Sequence, residues 1–112
     1  MRKLLSALVL SITAGGCGPT YTYTKTTDAQ AVAKPEASCD FLVTATVPDP
    51  NSYVEMGVLE VAHQPPRQIT RFKEDIYDQV CAAGGDVVVG EINGFGFYMR
   101  GIVFKKRAVA AN

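Results

Sequence analysis

Neither sign of charge dominates this chain of 112 residues, in which eleven Lys and Arg balance eleven Asp and Glu. From Cys17 onward nine basic residues face eleven acidic ones, a net charge of about −2. That excludes a nucleic-acid partner, because phosphate backbones reward clustered Lys and Arg. The one basic cluster, Lys105 to Arg107, reads as a solvated strand end. Histidine occurs once, at His63, beside Gln64-Pro65-Pro66 in a connection. A zinc site needs several nitrogen or sulfur ligands, so neither a metal nor any other cofactor is expected. The apolar stretch Leu4 to Thr13 runs for about ten residues, half of what a bilayer-spanning helix requires. The chain is also too short for two domains.

What is present begins with a secretion address. Met1-Arg2-Lys3 is a positive n-region, and Leu4 to Thr13 has the length of a signal h-region. Ala14-Gly15-Gly16-Cys17 follows and resembles the lipobox of bacterial lipoproteins, with Ala14 where leucine is usual. The resemblance implies that residues 1–16 are a signal peptide and that Cys17 is acylated to become the first mature residue. Several acyl chains, at about 0.8 kcal/mol per buried methylene, hold a protein to a bilayer stably. Gly18 stands where an aspartate would retain such a lipoprotein at the inner membrane, which directs the expectation to the outer membrane.

Residues 17–38 are read as a lipid-anchored flexible linker. Pro19 to Ser38 is rich in Thr, Ala and Lys without a sustained apolar period, and about twenty such residues span roughly 25 Å; the alternatives at Tyr21 and Tyr23, which alternate with threonines, are a short strand or a membrane-interface contact. The folded unit is expected over 39–107, with 108–112 as a tail. Phe41 to Val47 alternates as a strand, and Tyr53 to Ala62 as a second, with a bulge or strong twist near Gly57 where the apolar face switches. Ile69, Phe72, Ile76, Val80 and Ala83 then share one helical arc, ended by Gly84-Gly85 as a left-handed cap. Asp86 to Ile92 has the valine density of a central strand. Asn93 to Gly96 reads as a hairpin connection, and Phe97 to Phe104 as a fourth strand. The order β-β-α-β-β predicts an α+β fold, one amphipathic helix packed on a mainly antiparallel sheet of about four strands.

With Cys17 acylated, Cys39 and Cys81 remain as an even pair. Cys81 lies off the apolar arc of the helix, where it can reach the segment entering the first strand. A disulfide closing about forty residues contributes roughly 3–4 kcal/mol and persists in an oxidising envelope. The alternative is two free thiols.

Tyr53-Val54-Glu55-Met56-Gly57-Val58-Leu59-Glu60 and Ala82-Ala83-Gly84-Gly85-Asp86-Val87-Val88-Val89 are similar to small bacterial envelope domains of the YbjQ and Rcs stress-sensor type. The likeness covers about forty residues and implies a helix on a sheet and lipoproteins that work through protein contacts. The Rcs sensor domain has more than one disulfide, whereas this chain has only Cys39 and Cys81 available, and no functional residue carries over.

No residue set amounts to a catalytic site. Ser38 and Ser52 lack a nucleophile-elbow context. Glu55, Glu60 and Glu91 are candidates for a carboxylate pair across strands. Gly94-Phe95-Gly96 lacks the pattern and the following helix of a phosphate cradle. Phe95, Phe97 and Tyr98 at the hairpin are candidate anchors for a partner, since aromatic side chains bury much area with few rotors. The chain therefore reads as a non-enzymatic, membrane-anchored envelope lipoprotein, a protein-interaction or envelope-sensing/structural module that contacts an envelope protein or cell-wall component. The rival is a small envelope enzyme or thiol redox protein using Cys81.

Overall fold

The computed structural model describes residues 19–28, 32–35 and 38–107. The expected signal peptide, Cys17 and the 108–112 tail lie outside the described residues. The fold is α+β, with one helix among the described residues lying on a five-stranded sheet. Its elements are β1 (Tyr21–Lys25), β2 (Leu42–Thr44), β3 (Tyr53–Val61), α1 (Ile69–Ala83), β4 (Val87–Ile92) and β5 (Tyr98–Lys106). Across the sheet the order is β1-β3-β5-β4-β2. All neighbouring pairs are antiparallel except β2 with β4, which run parallel.

The fifth strand corrects the reading of residues 17–38 as a flexible linker. Tyr21 to Lys25 pairs along β3, from Tyr21 opposite Val61 to Lys25 opposite Gly57. Tyr21 is fully buried because its hydroxyl finds an acceptor there, the carbonyl of Tyr98, while its ring meets Phe72 edge-on at 5.3 Å. Further along, the Lys34 amide donates to the Cys81 carbonyl at 2.8 Å, and its ammonium pairs with Asp86. Most of the supposed tether is thus part of the domain.

The first expected strand is correspondingly shorter. Only Leu42 to Thr44 pairs, and on one side alone. The Thr44 hydroxyl then accepts from the Thr46 amide at 3.2 Å, a local turn that competes with the ladder, and Val47 is 64% exposed. In β3 the register shifts between Glu55 and Gly57, which is the expected bulge. Met56 thereby joins Leu59 in the core, and Val58 falls opposite Ile102.

The helix occupies the residues its periodicity predicts. Phe72, Ile76, Val80 and Ala83 are buried, whereas Ile69, in the first turn, is 47% exposed. Gly84 closes it in the left-handed region, at φ 73°, and a Cβ there would also lie 2.3 Å from the Val32 carbonyl oxygen. Gly90 and Gly101 face each other in the register of β4 and β5. A Cβ on either would stand 3.2 Å from the Phe72 ring, so the two glycines form a recess in the sheet that this ring fills. Tyr98 stacks on Phe72, with centroids 4.5 Å apart. Val87, Val89 and Phe104 form a smaller cluster of their own.

Cys39 and Cys81 stand at disulfide distance, with Cα atoms 5.9 Å apart. Both are buried in the main core, and the Tyr77 hydroxyl donates to the Cys39 carbonyl at 2.9 Å. The bond joins the last turn of α1 to the segment entering β2, the short edge strand.

Candidate contact site at the hairpin end of the sheet

The antiparallel register brings three features to one end of the sheet. β3 finishes there at Val61, β4 at Ile92, and β1 begins there at Tyr21. The loop between β4 and β5 is shaped by one side chain. Asn93 Oδ1 accepts from the amides of Phe95 at 2.9 Å and Phe97 at 3.1 Å. Its own amide donates to the Phe97 carbonyl at 3.0 Å, and the Gly96 amide donates to the Asn93 carbonyl at 3.1 Å. Asparagine suits this place because its short amide can hydrogen-bond backbone two residues on. Gly96 takes the positive φ, 89°, that the turn requires.

The connection from β3 to α1 braces this loop from the side. The Tyr98 amide donates to the Pro66 carbonyl at 2.9 Å. Arg67 Nη2 donates to the Phe95 carbonyl at 3.0 Å, and its guanidinium lies 5.0 Å from the centre of the Phe97 ring. The three candidate anchors therefore separate. Tyr98 belongs to the core against Phe72, Phe97 is half-buried beneath Arg67, and Phe95 is 76% exposed. The backbone of the loop is held while the Phe95 ring stands in solvent. Ile92 and Met99, near the ends of the two strands that the loop joins, are 59% and 36% exposed.

The other sequence candidates do not converge. Glu60 and Glu91 lie on β3 and β4 with β5 between them, two strand spacings or about 10 Å apart. Arg100 stands between, 3.7 Å from Glu91. Glu55 accepts from the Thr26 hydroxyl at 2.6 Å near the other end of β3. His63 is exposed in its connection. Ser38 is exposed, and Ser52 interacts with Asp49 at 3.4 Å. Cys81 is covered, with its sulfur joined to Cys39. Among the described residues no group of three or more His, Cys, Asp or Glu could hold a metal ion, and no helix is long and apolar enough to cross a membrane.

Two pairs of opposite charge sit away from the hairpin. Hydrogen bonding to Lys73 and to the Phe41 amide holds the Asp40 carboxyl below the usual carboxylate range. Partial burial disfavours ionisation of Asp86, but hydrogen bonds from Lys34 and the Lys106 amide outweigh it and bring its pKa below the ordinary value. These contacts fasten the edges of β2 and β4. Sequence reading missed them because Lys34 and Asp86 are 52 residues apart.

No protein-family model, curated protein or solved structure matches the chain.

Proposed function

We propose that this chain is a non-enzymatic lipoprotein of the bacterial envelope, held by lipid on Cys17 and acting by contact with another envelope component. The signal-like segment ending at Cys17 supports the address, and Gly18 supports the outer membrane. The contact reading rests on Phe95, an apolar ring left 76% exposed on a loop whose backbone is fixed by Asn93 and Arg67. An exposed aromatic on a preorganised loop binds with little ordering cost. The pairing of Cys81 with Cys39 supports a structural use of the thiol that a redox reading would need.

Intact-mass and peptide mass spectrometry of protein purified from envelopes tests the anchor. The expected result is loss of residues 1–16 and an acylated Cys17; an unmodified Cys17 refutes it. A photo-crosslinking residue at position 95 tests the contact. It should give adducts in cells that the same residue at position 51 does not, and identical adducts from both positions would refute a contact at the hairpin.

A further inference from the structure

We infer that the occupant of the hairpin end is the bilayer surface itself, with Phe95 seated among the lipid headgroups. The inference rests on the acylated Cys17 of the proposed function and adds where the domain stands relative to that lipid.

The distance available decides the matter. The Thr20 carbonyl accepts from the amides of Ala62 at 2.7 Å and His63 at 3.3 Å, so the chain is fixed to the domain from Thr20 onward. Only Gly18 and Pro19 separate Thr20 from Cys17, and the three Cα-to-Cα steps, fully extended, reach at most about 11 Å. An acyl anchor on Cys17 therefore holds the edge of this sheet end within about 11 Å of the lipidated residue, little more than the ~5–8 Å depth of one headgroup layer. The 25 Å standoff expected of a free linker is not available, because β1 has used the residues that would have supplied it.

The surface at that end suits the location. Ile69, Ile92, Phe95 and Met99 are four of the seven large apolar side chains left exposed among the described residues. They all lie at the end where β4 and β3 finish and α1 begins. Arg67, Arg71 and Arg100 are matched there by Glu60, Asp75 and Glu91, with Arg71 paired to Asp75 and Arg100 to Glu91. Balanced charge gives little attraction to anionic lipid, so the contact is apolar and needs no particular headgroup. At the other end, Asn51 lies beyond the start of β3, whose nine residues span about 26 Å. That end faces away from the bilayer.

The chain contains no tryptophan, so Phe95→Trp introduces a single indole reporter at a position exposed enough to accept it. Acylated full-length protein carrying Phe95→Trp is purified from envelopes and reconstituted into phosphatidylcholine vesicles with chains brominated at known depths. Its indole should emit at shorter wavelength than in the non-acylated Cys17→Ser form of the same variant, and should be quenched most by bromines near the headgroups. Asn51→Trp in the acylated protein should show neither effect. If the vesicle-bound, acylated protein quenches no more at position 95 than at position 51, the inference fails while the lipoprotein reading stands. If mass spectrometry of the same sample finds Cys17 without lipid, both fail together.

Discussion

Cys39 and Cys81 close a loop with a sequence separation of 42, and removing that link should be among the costliest changes this domain can suffer. Constraining the unfolded chain by a loop of that size is worth about 4 kcal/mol on chain-entropy arithmetic. A domain of about ninety residues commonly has only some 4–13 kcal/mol in total, so the bond carries a third or more of the margin. The native contacts change little on reduction, since both sulfurs stay buried as small apolar groups among the core side chains. The loss therefore arises in the unfolded state, and it has two signatures. With a urea slope of about 1–2 kcal/mol per molar, the unfolding midpoint should fall by roughly 2–4 M on reduction or in the Cys39→Ala, Cys81→Ala double variant. The slope itself should rise, because an unlinked chain exposes more surface when it unfolds. Circular dichroism across a urea series, with and without reductant, measures both. A midpoint shift under about 1 M with the slope unchanged would refute the reasoning. So would two thiols titrating in denatured protein that has met no reductant.

Gly84→Ala should cost at least about 1–2 kcal/mol, from the left-handed backbone alone, and more because Val32 occupies the space. Gly94→Ala, with nothing within 4 Å of the added methyl, should leave the urea midpoint where it was. Phe72→Ala should lose about 3–5 kcal/mol by emptying the recess between Gly90 and Gly101, whereas Phe95→Ala should change stability by less than about 0.5 kcal/mol in the same urea assay. A depressed folded pKa adds stability above the unfolded carboxylate value, near 3.9, and loses it as pH falls through the folded value. Asp86 is such a group, so Asp86→Asn should lower the midpoint at neutral pH and flatten its acid decline between about pH 5 and 2. An acid limb unchanged by Asp86→Asn would show that Lys34 and Lys106 do not hold this carboxylate.

The elements whose burial follows from local periodicity were legible in the sequence. Ile69 to Ala83 shows its helix because four residues a turn apart must face one core, and Gly84 shows its end because few other residues accept that backbone. The bulge at Gly57 was visible as a change of apolar parity. β1 was legible only as an alternative, since Tyr21 and Tyr23 alternate with threonines as a short strand can, but within a polar run that reads as disordered. Tyrosine counts as a core residue only where its hydroxyl has an acceptor, and the one Tyr21 finds is 77 residues away. The same long-range dependence hid the sheet order. At the hairpin, exposure of Phe95 followed from its place at the turn. The fate of Tyr98 depended on two glycines that become neighbours only when β4 pairs with β5. The charged pairs around Asp40 and Asp86 are likewise products of the fold, with no spacing to announce them.

The order of strands in the sheet has a mechanical meaning. β1 and β2, consecutive in the chain, form opposite edges, and between them Val32 and Lys34 lie against the C-terminal end of the helix, at Gly84 and Cys81. Tension arriving through the N-terminus would strip the five paired positions of β1 from β3 and then pull the stretch that follows straight. It would halt at Cys39, where the sulfur link hands the load to α1. About eighteen residues would be paid out in this way, a contour length of some 60 Å less the width of sheet they already span, while the helix and the remaining strands kept their places. The edge strand would act as a fuse, and the covalent link would set how much line can run.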